Sequence, residues 1–145
     1  MMIRHSPFED ALRAARLDLR PLAAGALSPL APFLGRAAPE RCATLALDLP
    51  DEGTVGAVAF APDGVLATEV TCWIAPTYRG RGYASEGLRA ALAWARDVWG
   101  RRCLTARHHE EAGAAARVLI KAGFLYTGRV EAAPCGHARW MVWLA

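Results

Sequence analysis

Arginine and glycine crowd one short stretch of the chain, Pro76-Thr77-Tyr78-Arg79-Gly80-Arg81-Gly82-Tyr83-Ala84-Ser85-Glu86. Residue types and spacing there suit one task, the holding of a phosphate. Glycines at 80 and 82 carry no Cβ atoms, so a ligand can come close to the backbone. Their N–H groups, with those of a helix that starts beside them, can then point at one anion. The helix dipole adds roughly half a positive charge at the same place. The stretch lacks the Gly-Lys-Ser/Thr ending of a Walker-type loop and the glycine spacing of a dinucleotide fingerprint. Arg79, Gly80, Arg81, Gly82, Tyr83 and Ala84 are therefore candidate residues of a phosphate cradle of another kind. For the side chains of Arg79 and Arg81 the competing reading is plain solvent exposure.

Two further groups of residues have the chemistry for proton traffic. Glu69 lies on an alternating run, sharing a face with Thr71 and Trp73 and opposing Val70, Cys72 and Ile74. It is either a functional carboxylate or one half of a structural salt bridge. His108-His109 is followed by Glu110-Glu111. Neighbours on an extended segment point opposite ways, so at most one of His108 and His109 faces any one cleft. Histidine is the side chain best suited to proton transfer near neutral pH. The competing reading of His-His-Glu-Glu is a solvated helix start, whose carboxylates favour the N-terminus. Cys42, Cys72, Cys103 and Cys135 show no C-x-x-C spacing, so they read as reduced, mostly buried thiols and no metal site is expected.

Around these residues the hydrophobic pattern lays out a mixed series of elements. Residues 10–16 read as a short helix or a frayed lead-in, 17–22 as a strand, and 26–34 as a short or broken helix because Pro29 and Pro32 fall inside it. Strand-like runs follow at 43–48 and 54–60, joined by the turn Pro50-Asp51-Glu52-Gly53. A second turn, Ala61-Pro62-Asp63-Gly64, leads to a strand at 68–75. A helix is expected near 83–99, a strand at 103–107, a helix near 112–122, and strands at 126–131 and 138–144. Gly100 and Gly123 are placed to end the two helices. On the last strand Trp140 and Val142 alternate with Met141 and Trp143, which implies cover on both faces, from the core or from a homodimer contact.

At 145 residues, 54% hydrophobic and 21% charged, the chain reads as one α+β domain over 1–145, with 1–14 as a loosely ordered lead-in. Such a domain buries roughly two thirds of its unfolded surface. A formal charge of +3 is too small to argue for nucleic acid. No run of about 18 apolar residues spans a membrane, and the polar start lacks a secretory core, which places the protein in the cytoplasm.

The pattern Arg79-x-x-Gly82-x-Ala84 resembles the Arg/Gln-x-x-Gly-x-Gly/Ala loop with which GNAT-superfamily acetyltransferases bind the pyrophosphate of acetyl-CoA. Arg16-Leu17-Asp18-Leu19-Arg20-Pro21-Leu22 resembles the opening strand of the branch typified by ribosomal-protein N-terminal acetyltransferases, the RimJ/RimL type. Thr68 through Pro76 resembles its central strand, and Arg117 through Phe124 its late helix with the Gly-Phe turn behind. The resemblance covers nearly the whole chain, about residues 15–145. It implies a GNAT fold: a central mixed, mostly antiparallel sheet with splayed central strands, flanked by helices. It also implies transfer of acetyl from acetyl-CoA to a primary amine, a protein N-terminus or a small molecule, by direct attack.

In that fold the strand at 68–75 splays from the strand at 103–107, and the unpaired backbone groups take the amide-bearing pantetheine arm. The expected partners are the backbones of Trp73, Ile74 and Ala75. The resemblance also makes Glu69 the candidate base. Where relatives in the branch carry an Asn and, three residues on, a Ser at the start of the late helix, this chain has Ala112 and Ala115. Leu119 stands where other members of the superfamily place a thiolate-protonating tyrosine; Tyr126 and Cys135 are the candidates to substitute in space, and the competing reading of Tyr126 is a strand residue packed beside Phe124. The alternatives to an enzyme are an acyl-CoA-binding sensor that has lost catalysis, and a scaffold that keeps only the fold.

Overall fold

A computed structural model of the chain describes residues 16–21, 43–62, 68–134 and 136–145. The helix expected over 26–34, the lead-in before residue 16, the Asp63-Gly64 end of the second turn, Cys42 and Cys135 lie outside the described residues. Seven strands form one sheet: β1 (Asp18–Pro21), β2 (Ala43–Leu49), β3 (Gly53–Pro62), β4 (Thr68–Ile74), β5 (Cys103–His109), β6 (Leu125–Ala132) and β7 (His137–Leu144). Their order across the sheet is β1-β2-β3-β4-β5-β7-β6. Two α-helices are described, α1 (Tyr83–Asp97) and α2 (Gly113–Lys121).

Strands β1 to β4 pair antiparallel with their sequence neighbours, and β5, β7 and β6 pair antiparallel in turn. The two sets meet through a parallel contact with only two residue pairs in register, Thr68↔Leu104 and Glu69↔Thr105. Beyond those pairs β4 and β5 separate. The sheet is thus mixed, mostly antiparallel and splayed at its centre, an α+β architecture of the kind the sequence implied.

Alternation decides what each sheet face carries. Leu45 and Leu47 of β2, Val58 and Phe60 of β3, Val70 and Ile74 of β4, Leu104 and Ala106 of β5 and Met141 of β7 form one buried core with both helices. Helix α1 supplies Leu88, Ala91, Leu92 and Ala95 at helical spacing. Gly87 lets it settle close, since a Cβ there would stand 2.7 Å from Leu47 Cδ1. Phe60 meets Trp94 and Trp99 at ring separations of 5.7 and 5.4 Å. Truncating one buried leucine of such a core costs about 2–5 kcal/mol. Helix α2 adds Leu119, followed by the buried Phe124, and Arg89 Nη2 donates to Lys121 O at 3.2 Å to join the helices. Helix α2 is followed directly after its cap Ala122 by the left-handed Gly123 (φ 98°), whereas α1 ends at Asp97 with Val98 as cap and the left-handed Gly100 (φ 72°) comes two residues later.

Two segments expected as a turn and a helix start are strand instead. Ala61 and Pro62, read as the opening of a turn, extend β3 because they pair with Glu69 and Thr68 of β4. Strand β5 runs on through His108 and His109, because β7 pairs with it as far as His109↔Ala138. The polar pair is therefore strand, and α2 starts only at Gly113.

Candidate functional site

Between β4 and α1 the chain makes one 3-10 turn at Pro76–Tyr78. Tyr78 N–H donates to Ala75 O at 2.9 Å and Arg79 N–H to Pro76 O at 3.3 Å. Gly80 and Gly82 then take left-handed backbones, φ 77° and 83°, which only glycine adopts without strain. Helix α1 begins directly afterwards, with Gly82 as N-cap and no described side chain capping it. The N–H groups of Tyr83, Ala84 and Ser85 have no acceptor inside the helix, and the first intrahelical bond runs from Glu86 N–H to Gly82 O at 3.1 Å. An uncapped helix start beside two Cβ-free residues fits a phosphate group.

The arginines of the loop behave differently from one another. Arg79 turns back, its Nε donating to Ile74 O at 2.9 Å, so its side chain ties the loop to the end of β4. The Arg81 guanidinium lies 5.8 Å from the Tyr78 ring and is exposed. A third arginine, missed in the sequence, comes from the far end of the chain. Arg16 Nε bonds Glu86 Oε1 at 2.8 Å, its backbone N–H bonds Glu86 Oε2 at 2.9 Å, and its guanidinium stacks 4.5 Å over Tyr83. A Cβ on Gly82 would meet Arg16 Nη2 at 3.2 Å. Gly82 is thus needed for its backbone angle and for the arginine beside it.

The splay corrects the expected backbone partners. Ala75 N–H donates to Val55 O at 2.8 Å, in the register that sets Ile74 opposite Gly56 and Trp73 opposite Ala57. Hydrogen-bonded and non-bonded pairs alternate along an antiparallel ladder. Trp73 and Ala75 therefore turn their N–H and C=O toward β3 and are already committed. Of the three expected residues only Ile74 faces the gap, where Cys72 and Val70 join it. Ile74 O is taken by Arg79, which leaves the Ile74 N–H and both backbone groups of Cys72 toward β5.

On the sheet face away from the helices, charge is concentrated at the mouth of the splay. Arg107 Nε reaches back across the strands to Glu69 Oε2 at 2.9 Å, while its Nη1 holds Glu131 Oε2 at 2.9 Å. The same guanidinium lies 5.1 Å from the Trp140 ring, and Arg129 lies 4.5 Å from it. The Arg107 hydrogen bond holds the Glu131 carboxyl below the usual range, with Trp140 and Arg129 adding to the effect. Glu69 is largely enclosed, 15% of its side chain remaining exposed. The carboxylate singled out as a base is also an ion-pair partner.

On the helix face, His108 is 7% exposed and bridges two groups. Its Nδ1 lies 2.8 Å from His109 O and its Nε2 2.9 Å from Tyr126 Oη. A carbonyl only accepts, so Nδ1 carries the proton and Nε2 accepts from the Tyr126 hydroxyl. Tyr126, which the sequence suggested would pack beside Phe124, is instead 46% exposed. His109 is exposed on the opposite face. Of the two histidines the structure brings only His108 together with Tyr126. Across the gap from His108 stands Cys72, its Sγ 4.0 Å from Ala84 O of α1. Burial pushes that thiol up to about 12, which makes it a poor nucleophile. Ala112 precedes α2 with no described capping side chain, and Leu119 is buried in the core. Among the described residues no three His, Cys, Asp or Glu side chains gather as a metal site.

Comparison with known proteins agrees with this geometry. The model of the family described as "Acetyltransferase (GNAT) domain" matches residues 16–125. The chain belongs to the GNAT acetyltransferase family. No curated protein matches it by sequence. Among solved structures, an acetyltransferase of the GNAT family from Bacillus anthracis superposes with a TM-score of 0.70 at 19% identity, covering 92% of this chain and 97% of that one. A dodecameric spermidine N-acetyltransferase from Vibrio cholerae gives 0.75 at 16% identity, covering 90% and 94%. An acetyltransferase from Agrobacterium tumefaciens gives 0.70 at 19%, covering 92% and 94%. At these identities the likeness is one of fold.

Proposed function

We propose that this chain acetylates a primary amine, a protein N-terminus or a small-molecule amine, with acetyl-CoA as co-substrate and by direct attack. The observation that carries the reading is the uncapped start of α1 on Gly80 and Gly82, set at the end of a strand whose ladder to β5 stops after two pairs. Acetyl-CoA supplies an activated thioester. The N–H groups from Gly80 to Ser85 hold its pyrophosphate, with Arg79 fixing the loop. Cys72 and Ile74 offer the backbone edge that pairs with the pantetheine amides.

Proton handling divides between the faces of the sheet. Glu69 takes the proton of the amine, directly or through water, held in place by Arg107. On the helix face the Tyr126 hydroxyl gives its proton to the leaving sulfur, releasing its hydrogen bond to His108 Nε2, and the tyrosinate regains a proton from solvent, to which Tyr126 is open. This replaces the tyrosine whose place Leu119 fills. A thiol held at about 12 argues against a covalent acetyl-Cys72 intermediate. The free cysteines Cys72 and Cys103 agree with a reducing cytoplasm, and no helix among the described residues is long and apolar enough to cross a membrane.

The apolar residues at 112, 115 and 119 favour one second reading, an acyl-CoA sensor that binds without turning over. Calorimetric titration of acetyl-CoA followed by an amine panel separates the two. Binding with turnover supports the enzyme and binding with no turnover the sensor. Absence of binding overturns both.

A further inference from the structure

The point where β4 and β5 part is closed from below by side chains. Register ends at Glu69↔Thr105, and Thr105 Oγ1 donates to Thr68 O at 3.4 Å to reinforce that last contact. Immediately above it the Glu69–Arg107 ion pair, 2.9 Å long, crosses from one strand to the other. Arg107 does not hang free there, because Glu131 and the Trp140 ring fix its other edges. At the same height on the helix face, Val70 and Ala106 are 4% and 2% exposed and fill the space with apolar atoms. The gap therefore has a floor made of core on one face and a braced ion pair on the other.

Reach places that floor against the reacting end of a ligand held by the loop. Residues 70–74 of β4 separate the floor from the loop, about 16 Å at the rise of an extended strand. A pantetheine arm, two amide units and a mercaptoethyl end, is about as long as four to five extended residues. Its sulfur then comes down to the level of the floor, and whatever acyl group it carries points at Glu69 and Arg107.

We infer that the Glu69–Arg107 pair limits acyl length, so that a two-carbon acyl group fits above it and a four-carbon group does not. Arg107 is on this account a specificity-determining residue. The inference rests on the acetyl-CoA reading above and adds to it the size of the group accepted. Neither carboxylate nor guanidinium can retreat cheaply, since moving one leaves a partly enclosed charge without its partner.

The test is binding, which needs no acceptor amine. Free CoA, acetyl-CoA and butyryl-CoA are titrated into wild type, Arg107→Ala and Arg107→Lys. Wild type is expected to bind butyryl-CoA at least about tenfold more weakly than acetyl-CoA, a usual size for rejecting added methylenes. Arg107→Ala should reduce that ratio to about twofold with free CoA unchanged, and Arg107→Lys should restore only part of it, since one ammonium cannot hold Glu69, Glu131 and the Trp140 ring together. A general loss of structure would weaken all three ligands together and would not change the ratio. Should Arg107→Ala not fold, as judged by circular dichroism, Glu69→Ala opens the floor from the other strand with the same expected ratio. An unchanged ratio in the variant that folds, or no discrimination by wild type, overturns the inference while leaving the acetyl-CoA reading intact. Failure of wild type to bind any of the three overturns that reading, and this one with it.

Discussion

Helices α1 and α2 lie against the same face of one sheet, yet they are built for different work. Helix α1 runs 15 residues and buries six of them, while α2 runs nine and buries only Leu119. Both start without a described capping side chain. The start of α1 is opened by two left-handed glycines with arginines around it, whereas that of α2 follows Ala112, whose N–H is spent on His109 O at 2.9 Å. One helix is anchored and presents bare N–H groups, and the other is short and presents methyl groups. On the function proposed above, binding and proton chemistry fall to separate parts of this chain, the second to strands β4, β5 and β6.

The largest effect expected from breaking this division is at α1. Gly82→Glu forces a side chain into φ 83° against Arg16 and puts an anion at an anion site. Acetyl-CoA affinity should fall by about a hundredfold or more in calorimetry, with the far-ultraviolet spectrum retained. Retained affinity would place the pyrophosphate elsewhere. The strand residues should respond in the opposite sense. Glu69→Gln and Tyr126→Phe are each expected to lower kcat by about 10²-fold with acetyl-CoA affinity nearly unchanged. Loss of affinity in step with kcat would mean that the faces are not divided in this way.

Some of this division was legible in the sequence. The glycine-arginine loop and the periodicity of α1 are local signals, and both appear where the spacing put them. Other features depend on contacts between distant segments. His108-His109 read as a solvated helix start because nothing local says that Arg139 and Ala138 of β7 will pair with them, or that His108 will accept a hydrogen bond from Tyr126. The Glu69–Arg107–Glu131 chain exists only because the strand order sets β5 between β4 and β7, and residues 38 and 24 apart cannot announce that. Arg16 was quoted only as part of an opening strand, yet its guanidinium stands against Gly82. The assignment of Trp73 and Ala75 to the gap failed for a smaller reason. Ladder parity depends on which residue first bonds β3, and Ala75 does so through Val55.

The smallest expected effect concerns that same charged chain. The Glu131 carboxyl is held below its ordinary range in the folded state by Arg107. Its contribution to stability is therefore present above the unfolded carboxylate value and is lost as pH falls through the folded one. Glu131→Gln should unfold less steeply with acid than wild type, with the curves converging at the lowest pH. Parallel curves at neutral and acid pH would show that the pair contributes nothing there.

The brevity of the parallel contact between β4 and β5 has a consequence for motion. Each half of the sheet holds its own register through antiparallel ladders, and the seam between them is two residue pairs deep. Such a molecule is two leaves on a short spine, with α1 on one leaf, α2 on the other and the Arg89–Lys121 bond between the helices. Amide exchange should be slow in two separate blocks and faster at Cys72 and Ile74, whose N–H groups face the seam. A ligand lying in the seam would then act as binding tape, slowing exchange on both leaves at once while touching only their facing edges.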